Sequence, residues 1–299
     1  MKLITFKTDN TVCAGFIDGD DAVICVEGSS AMTAVRDIIA GGDTAISTWK
    51  TKAVSAARQK LSDVTLMAPM PELVRDVFCV GKNYYAHARE FHSSGYDTGS
   101  TEEVPSAPVI FTKATTSLVG PGDIVRGSLD PTGSVDYEGE LGVVIGKRAS
   151  QITKQNAFDV VFGYVALNDV TSRDLQQRHN QWVIGKGIDT FCPMGPWIAT
   201  ADEVEDVTAL KLETHINGEL RQQATLADLV FDIPTLIETL SSYITLLPGD
   251  VIATGTPVGV GIGFTHGCQH HRPWRVDQYR RLTSPTQRAA DRSQQAAAF

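Results

Sequence analysis

The apolar positions of this chain fall in short runs, and Gly, Pro or Asp punctuates most of them. "KLITF" (2–6) and "VCAGFID" (12–18) alternate or run apolar as short strands do. "GDDAVICV" (19–26) reads as a turn leading into a strand. "SAMTAVRDIIAGG" (30–42) predicts a helix closed by glycine. The prolines of "APMPELVRD" (68–76) predict a linker, so residues 1–70 are expected to form a small N-terminal domain. From Val77 to Phe264 the runs "VFCVG", "PVIFTK", "ELGVVIG", "FGYVALND", "LKLETHING" and "DVIATGTP" predict strands. Helices are expected only around 84–92, around 171–178 and in "LADLVFDIPTLIETLSSYI" (226–244). The pattern predicts an α+β fold, mostly β: a sandwich or rolled sheet with helices packed on it. There is no internal repeat.

The pattern stops at Thr265. The remaining "THGCQHHRPWRVDQYRRLTSPTQRAADRSQQAAAF" holds six arginines and two aspartates, with no lysine, glutamate or apolar period. Residues 265–299 are expected to be a solvated, disordered basic tail rather than an RNA-binding arm. Elsewhere the balance is acidic, with a net charge of -9 for the whole chain, which argues against a nucleic-acid partner. The longest apolar runs, such as "VVFGYVAL", are far short of a membrane span, and "MKLITFKTDN" lacks a signal-peptide pattern. The five cysteines are scattered and form no CxxC pair, which fits a reducing cytoplasm and neither a disulfide framework nor a zinc site.

One stretch departs from ordinary strand chemistry. In "SVDYEGELGVVIG" (134–146), Glu138 and Glu140 precede an apolar run two residues apart, so a strand presents both on one face. Two adjacent carboxylates repel unless a positive charge lies between them. Further on, "VFGYVAL" runs into Asn168 and Asp169, which puts a third carboxylate at a strand end. Three such acids make an all-oxygen site suited to Mg²⁺ or Mn²⁺, with Ca²⁺ also possible, rather than zinc. The plain alternative is a polar strand edge with two solvated glutamates and a turn aspartate.

Three further segments carry candidate chemistry. In "GKNYYAHAREF" (81–91), Asn83 can cap a helix, which makes His87 and Glu90 neighbours at i and i+3. A carboxylate beside a histidine fixes its tautomer and raises its basicity, as a water-activating base requires; an ordinary surface pair is the alternative. In "NDVTSRDLQQRHNQWVIGKGIDTFCPMGPW" (168–197), Arg173, Gln176 and Lys186 can bind a carboxylate or carbonyl oxygen. Arg173 can equally pair internally with Asp174 or with a metal ligand. "LLPGDVIATGTPVGVGIG" (246–263) offers N–H and hydroxyl donors to an anion, without the GxxxxGK[ST] of a nucleotide loop.

In this order the segments resemble the fumarylacetoacetate hydrolase family, in its acylpyruvate hydrolase and hydroxymuconate isomerase-like branch. The resemblance runs from about Val77 to Phe264, and E-x-E followed by N-D-x-T-x-R-D-x-Q is its specific part. It implies a mixed β-sandwich roll, a divalent metal and commonly a homodimer. It assigns Glu138, Glu140 and Asp169 as metal ligands, and His87 and Glu90 as the water-activating pair. Lys186 falls beside the metal and substrate oxygens, and Gln176 and Thr256 fall at substrate-contact positions; Arg173 remains a substrate-binding candidate by its chemistry alone. The expected domains are thus 1–70, a catalytic domain over 71–264, and an atypical tail over 265–299. Where relatives continue with a Gly-Asp turn and a hydrophobic strand, this tail begins, which points to a diverged terminus or a shifted reading frame.

The resemblance implies a hydrolase that cleaves a C–C bond in a 1,3-diketo or acylpyruvate-type acid through a metal-stabilised enolate, in aromatic catabolism. Isomerisation or decarboxylation of hydroxymuconate-type or 2-oxo diacids uses the same site. A non-catalytic metal- or ligand-binding protein is the rival of a different class.

Overall fold

The computed structural model describes residues 1–9, 11–97 and 102–263. The tail expected to be disordered therefore lies outside the described residues. Strands β1 (Lys2–Thr8), β2 (Thr11–Asp18) and β3 (Asp21–Glu27) form an antiparallel meander. Helix α1 (Ala31–Lys52) packs Ala34, Val35, Ile38 and Ile39 onto it. Gly42 does interrupt α1, at φ 56° and ψ −144°, but the chain resumes a helix as far as Lys52 instead of ending there. Only glycine occupies that backbone region readily.

The short strands β4 (Arg58–Lys60) and β5 (Thr65–Leu66) complete this part, pairing with β3 and β1. An irregular stretch then leads to β6 (Val77–Gly81), α2 (Tyr85–Ser93), β7 (Val109–Lys113), β8 (Leu118–Val119) and β9 (Val135–Asp136). Next come β10 (Gly139–Ile145), β11 (Val161–Asn168), β12 (Thr171–Ser172), α3 (Arg173–Arg178) and α4 (Val183–Lys186). The remaining elements are β13 (Cys192–Pro193), β14 (Ile198–Thr200), β15 (Lys211–Ile216), β16 (Glu219–Thr225), α5 (Ile233–Tyr243) and β17 (Val251–Ala253).

One mixed sheet organises the molecule, in the order β4-β3-β2-β1-β14-β11-β10-β17-β6-β7, with β5 on β1. Its pairs are antiparallel except β17 with β6. The sheet crosses the expected boundary near residue 70 through β1 and β14, where Leu3 lies opposite Ile198. The α+β reading of the sequence holds, but the fold is not mostly β: among the described residues, helical turns of both kinds together match the strands in length.

β10 is buried along its whole length because both faces are covered. Leu141, Val143 and Ile145 face a cluster built with α5 residues Leu236, Ile237 and Leu240. Val144 joins the opposite cluster with Val165, Leu167 and α1. A strand covered on both sides needs a continuous apolar run, which is what "LGVVI" supplies.

Two further helix expectations change. "LADLVFDIPTLIETLSSYI" is not one helix: Leu226–Asp228 is a 3₁₀ turn, and α5 begins only after Asp232, whose carboxylate accepts the Thr235 amide at 2.8 Å. Pro234 in the first turn suits a start and not an interior. Asn83 does not cap α2. Its amide donates to the carbonyls of Phe231 (3.0 Å) and Thr254 (2.8 Å), and its oxygen accepts the Phe231 amide (2.8 Å). It ties two loops together instead.

Candidate active site

The sheet register assembles the acids. β10 and β11 run antiparallel with Gly139 opposite Asn168, so the start of one strand meets the end of the other. Asp169 N donates to Glu138 O at 2.8 Å, and Glu138 N donates to the Asn168 side-chain oxygen at 2.9 Å. Glu138 and Glu140 share a side at this end, as the alternation requires. One ligand atom from each of Glu138, Glu140 and Asp169 lies within 4.8 Å of the others, and all three residues are buried. The picture of solvated glutamates at a polar edge is excluded.

Positive groups surround part of the cluster. Lys186 Nζ donates to Glu138 Oε2 at 2.7 Å and to Asp169 Oδ2 at 2.6 Å. Lys113 Nζ lies 2.7 Å from Asp169 Oδ1 and also donates to the carbonyls of Val170 and Lys186. Arg173 Nη1 lies 2.6 Å from Glu138 Oε1, while its Nε and Nη2 grip Asp136 Oδ2 at 2.9 and 2.8 Å. Of the two partners the sequence allowed Arg173, a ligand-position carboxylate is the observed one.

The charges divide the acids. Burial pushes the Glu138 carboxyl up, but Lys186 and Arg173 outweigh it and hold it down to about 2. Glu140 is pushed well above the carboxylate range, by burial first and then by the charges of Asp169 and Glu138. Among the described residues Glu140 makes no ion pair; its Oε2 accepts the Gly255 amide at 2.8 Å. Three convergent carboxylates, one of them without a countercharge, fit a hard divalent cation. Glu138, Glu140 and Asp169 are the residues to hold it.

The second group of predicted residues stands beside the first. α2 buries His87, Ala88 and Phe91. Phe91 packs edge-on against Trp182 at 6.1 Å between ring centroids, and Trp182 against Phe111 at 5.2 Å. His87 Nδ1 lies 3.0 Å from Glu90 Oε2. His87 is near enough to Glu138 to interact with it electrostatically. Gln176 is buried and accepts Arg173 Nη1 at 3.2 Å. The Thr256 hydroxyl donates to Gly139 O at 3.0 Å, beside the two glutamates.

Three buried residues were missed. Lys113 ends the apolar run "PVIFTK", where a lysine reads as a solvated strand end. Asp136 extends the alternation to D-x-E-x-E, a signal present in the sequence. Gln222 lies in the polar strand "ELRQQAT" and has no signal; it accepts the Gly139 amide at 3.0 Å and donates to Thr256 Oγ1 and Pro257 O, both at 2.7 Å.

The family model described as "Fumarylacetoacetate (FAA) hydrolase C-terminal" matches residues 76–292. The chain belongs to the fumarylacetoacetate hydrolase family. Among curated relatives of this family, oxaloacetate tautomerase YisK of Bacillus subtilis (strain 168) is 42% identical over 282 residues, 89% of this chain and 91% of that protein. Among solved structures, the fumarylacetoacetate hydrolase (EaFAH) from psychrophilic Exiguobacterium antarcticum gives a TM-score of 0.72 at 37% identity, covering 88% of this chain and 89% of that one. Maleylpyruvate hydrolase from Sphingobium sp. SYK-6, in complex with manganese (II) ion and pyruvate, gives 0.69 at 33% identity, covering 87% and 90%. These relatives are enzymes, and among the described residues no helix is long and apolar enough to cross a membrane.

Proposed function

We propose that this protein is a divalent-metal-dependent enzyme that moves a proton between carbon and oxygen of a small 2-oxo acid, interconverting its keto and enol forms. The observation that carries this is the juxtaposition of a carboxylate-oriented histidine with three converging acids. The preference for proton transfer rests on likeness to a named oxaloacetate tautomerase over nine-tenths of the chain.

Glu90 accepts a proton-bearing Nδ1 of His87, which leaves Nε2 as the free base. Nε2 removes a proton from the carbon next to the 2-oxo group. The C–H electron pair becomes the C=C bond of the enol, the C=O π pair moves onto oxygen, and that oxygen takes the proton back from the His87 imidazolium. Mg²⁺ or Mn²⁺ at Glu138, Glu140 and Asp169 would supply Lewis acidity toward the 2-oxo oxygen, worth several kcal/mol. Lys186 donates to the charge that gathers on that oxygen, and Arg173, Gln176 and Thr256 line the acid's binding position. A general base of this kind contributes on the order of 10²–10⁴ in rate.

Hydrolysis of an acylpyruvate-type acid is the second reading, and the buried His87–Glu90 pair favours it, because the same free Nε2 can deprotonate water. Likeness to a maleylpyruvate hydrolase supports it as well. The deciding experiment follows the ultraviolet absorbance of enol oxaloacetate and of an acylpyruvate with Mg²⁺, with Mn²⁺ and with EDTA, and then analyses products. Chelator-sensitive conversion at unchanged mass is the expected result. Two acids from the acylpyruvate select hydrolysis, and carbon dioxide selects decarboxylation. No metal-dependent change in any of these acids leaves a binding protein and overturns the enzymatic reading.

A further inference from the structure

The turn after β17 joins the acidic cluster to the histidine pair. Its backbone amides serve two different carboxylates. Gly259 N donates to Glu90 Oε1 at 3.0 Å. Gly261 N donates to Asp136 Oδ1 at 2.6 Å, and Ile262 N to Asp136 Oδ2 at 3.3 Å. Asp136 is only 2% exposed. It is held in turn by the Tyr137 amide at 2.8 Å and by the two-pronged grip of Arg173, whose remaining nitrogen Nη1 pairs with Glu138. The Tyr137 hydroxyl donates to Gly259 O at 2.8 Å, a second tie on the same turn.

Glycine is required at one place in the turn, and at another it leaves room for the Glu90 carboxylate. Gly259 sits at φ 105°, and a Cβ there would overlap the Arg221 carbonyl oxygen. A Cβ at Gly263 would overlap Oε1 of Glu90.

We propose that residues 259–263, clamped by Asp136, are the positioning element that holds Glu90 against His87. An i,i+3 pair on a helix is weak and does not by itself fix a glutamate rotamer. Here the Gly259 amide takes Oε1 and leaves Oε2 for Nδ1, so both oxygens of Glu90 are committed. A glycine-rich turn is conformationally loose, and it presents that amide reproducibly only when something else fixes it. Asp136 fixes it through two neighbouring amides, with a charge-assisted hold from Arg173 behind it. Asp136 touches no reacting atom; it acts through the turn, through Glu90 and then through the tautomer of His87.

This inference rests on His87 being the base, and its test separates the two. The full-length, metal-free protein is labelled with ¹⁵N-histidine, and the His87 imidazole spectrum is read at one pH, assigned with His87→Gln. Wild type is expected to show the Nδ1–H tautomer. Asp136→Asn and Gly263→Ala are each expected to give a mixture with Nε2–H and to lower kcat by about 10- to 100-fold, as loss of an orienting partner does, with KM changed less than twofold. An unchanged His87 tautomer in either folded variant overturns the proposal, and if Asp136→Asn does not fold, Gly263→Ala decides alone. Turnover that survives His87→Gln would instead remove the base assignment while leaving the tautomer result standing.

Discussion

Lys186 touches two of the three clustered carboxylates and leaves Glu140 with a backbone amide and two like charges for company. Glu140 therefore weakens the metal-free fold at neutral pH. Glu140→Gln keeps an oxygen for the Gly255 amide and removes the repulsion. The variant is expected to gain about 1 kcal/mol, read as a rise of roughly 2–4 °C in the melting temperature in EDTA. It is expected to lose the further rise that Mg²⁺ gives wild type by binding the folded state. His87→Ala is expected to keep that Mg²⁺-dependent rise and to turn over on the order of 10²–10⁴ more slowly, checked by calorimetry and steady-state kinetics on one preparation. At this scale the acids were legible because period-2 spacing dictates the face a side chain occupies. Lys113 and Gln222 were not, because their partners lie far along the chain, Asp169, Val170 and Lys186 for one and Gly139, Thr256 and Pro257 for the other, and local spacing holds no record of that.

Element boundaries were legible where local chemistry decides them. β1, β2, β3, β6, β7, β10, β11, β15 and β17 announce themselves as apolar runs between turn residues, whereas the other short strands and the polar β16 do not, and α2 and α3 lie where they were expected. The helix over 226–244 failed because its apolar spacing continues through Asp232 and Pro234, while the cap overrides the spacing. Asp232→Ala is expected to cost about 1 kcal/mol, measured by denaturant midpoint. A second local device precedes β9. Asp130, 5% exposed, accepts Thr132 N (2.9 Å), Thr132 Oγ1 (2.6 Å), Ser134 N (2.8 Å) and Ser134 Oγ (3.3 Å). Burial raises its carboxyl, but the donors of Thr132, Ser172 and Ser134 outweigh burial and hold it below the usual aspartate range. The folded state thus favours the charged form. The stability it contributes is present above the unfolded aspartate pKa of about 3.9 and is lost as pH falls through the lower folded value. Asp130→Asn is expected to melt below wild type at pH 7 by about 1–2 kcal/mol, with the gap closing in acid below that range; an unchanged gap there would exclude this account.

For the whole molecule, the sheet runs from β4 to β7 without a break, and the core under α1 includes Val144, Val165 and Leu167 of the strands that carry the acids. Heating the full chain is expected to give one calorimetric transition, with coincident loss of ellipticity at α1 and of Mn²⁺ binding; two separated transitions would mean that residues 1–70 unfold independently. Composition and motifs indicated the fold class and the family. They could not indicate that the N-terminal strands extend the same sheet, because β1 and β14 are almost two hundred residues apart and share only a short register.

The ammonium group of Lys186, bridging Glu138 and Asp169, is a tethered ion that cannot diffuse away. On the proposed metal-dependent reading, losing the divalent ion would stop turnover and soften the fold, while two of the three acids keep a countercharge within the chain. Activity would then fall before protein lifetime does, and returning the ion would restore function without new synthesis.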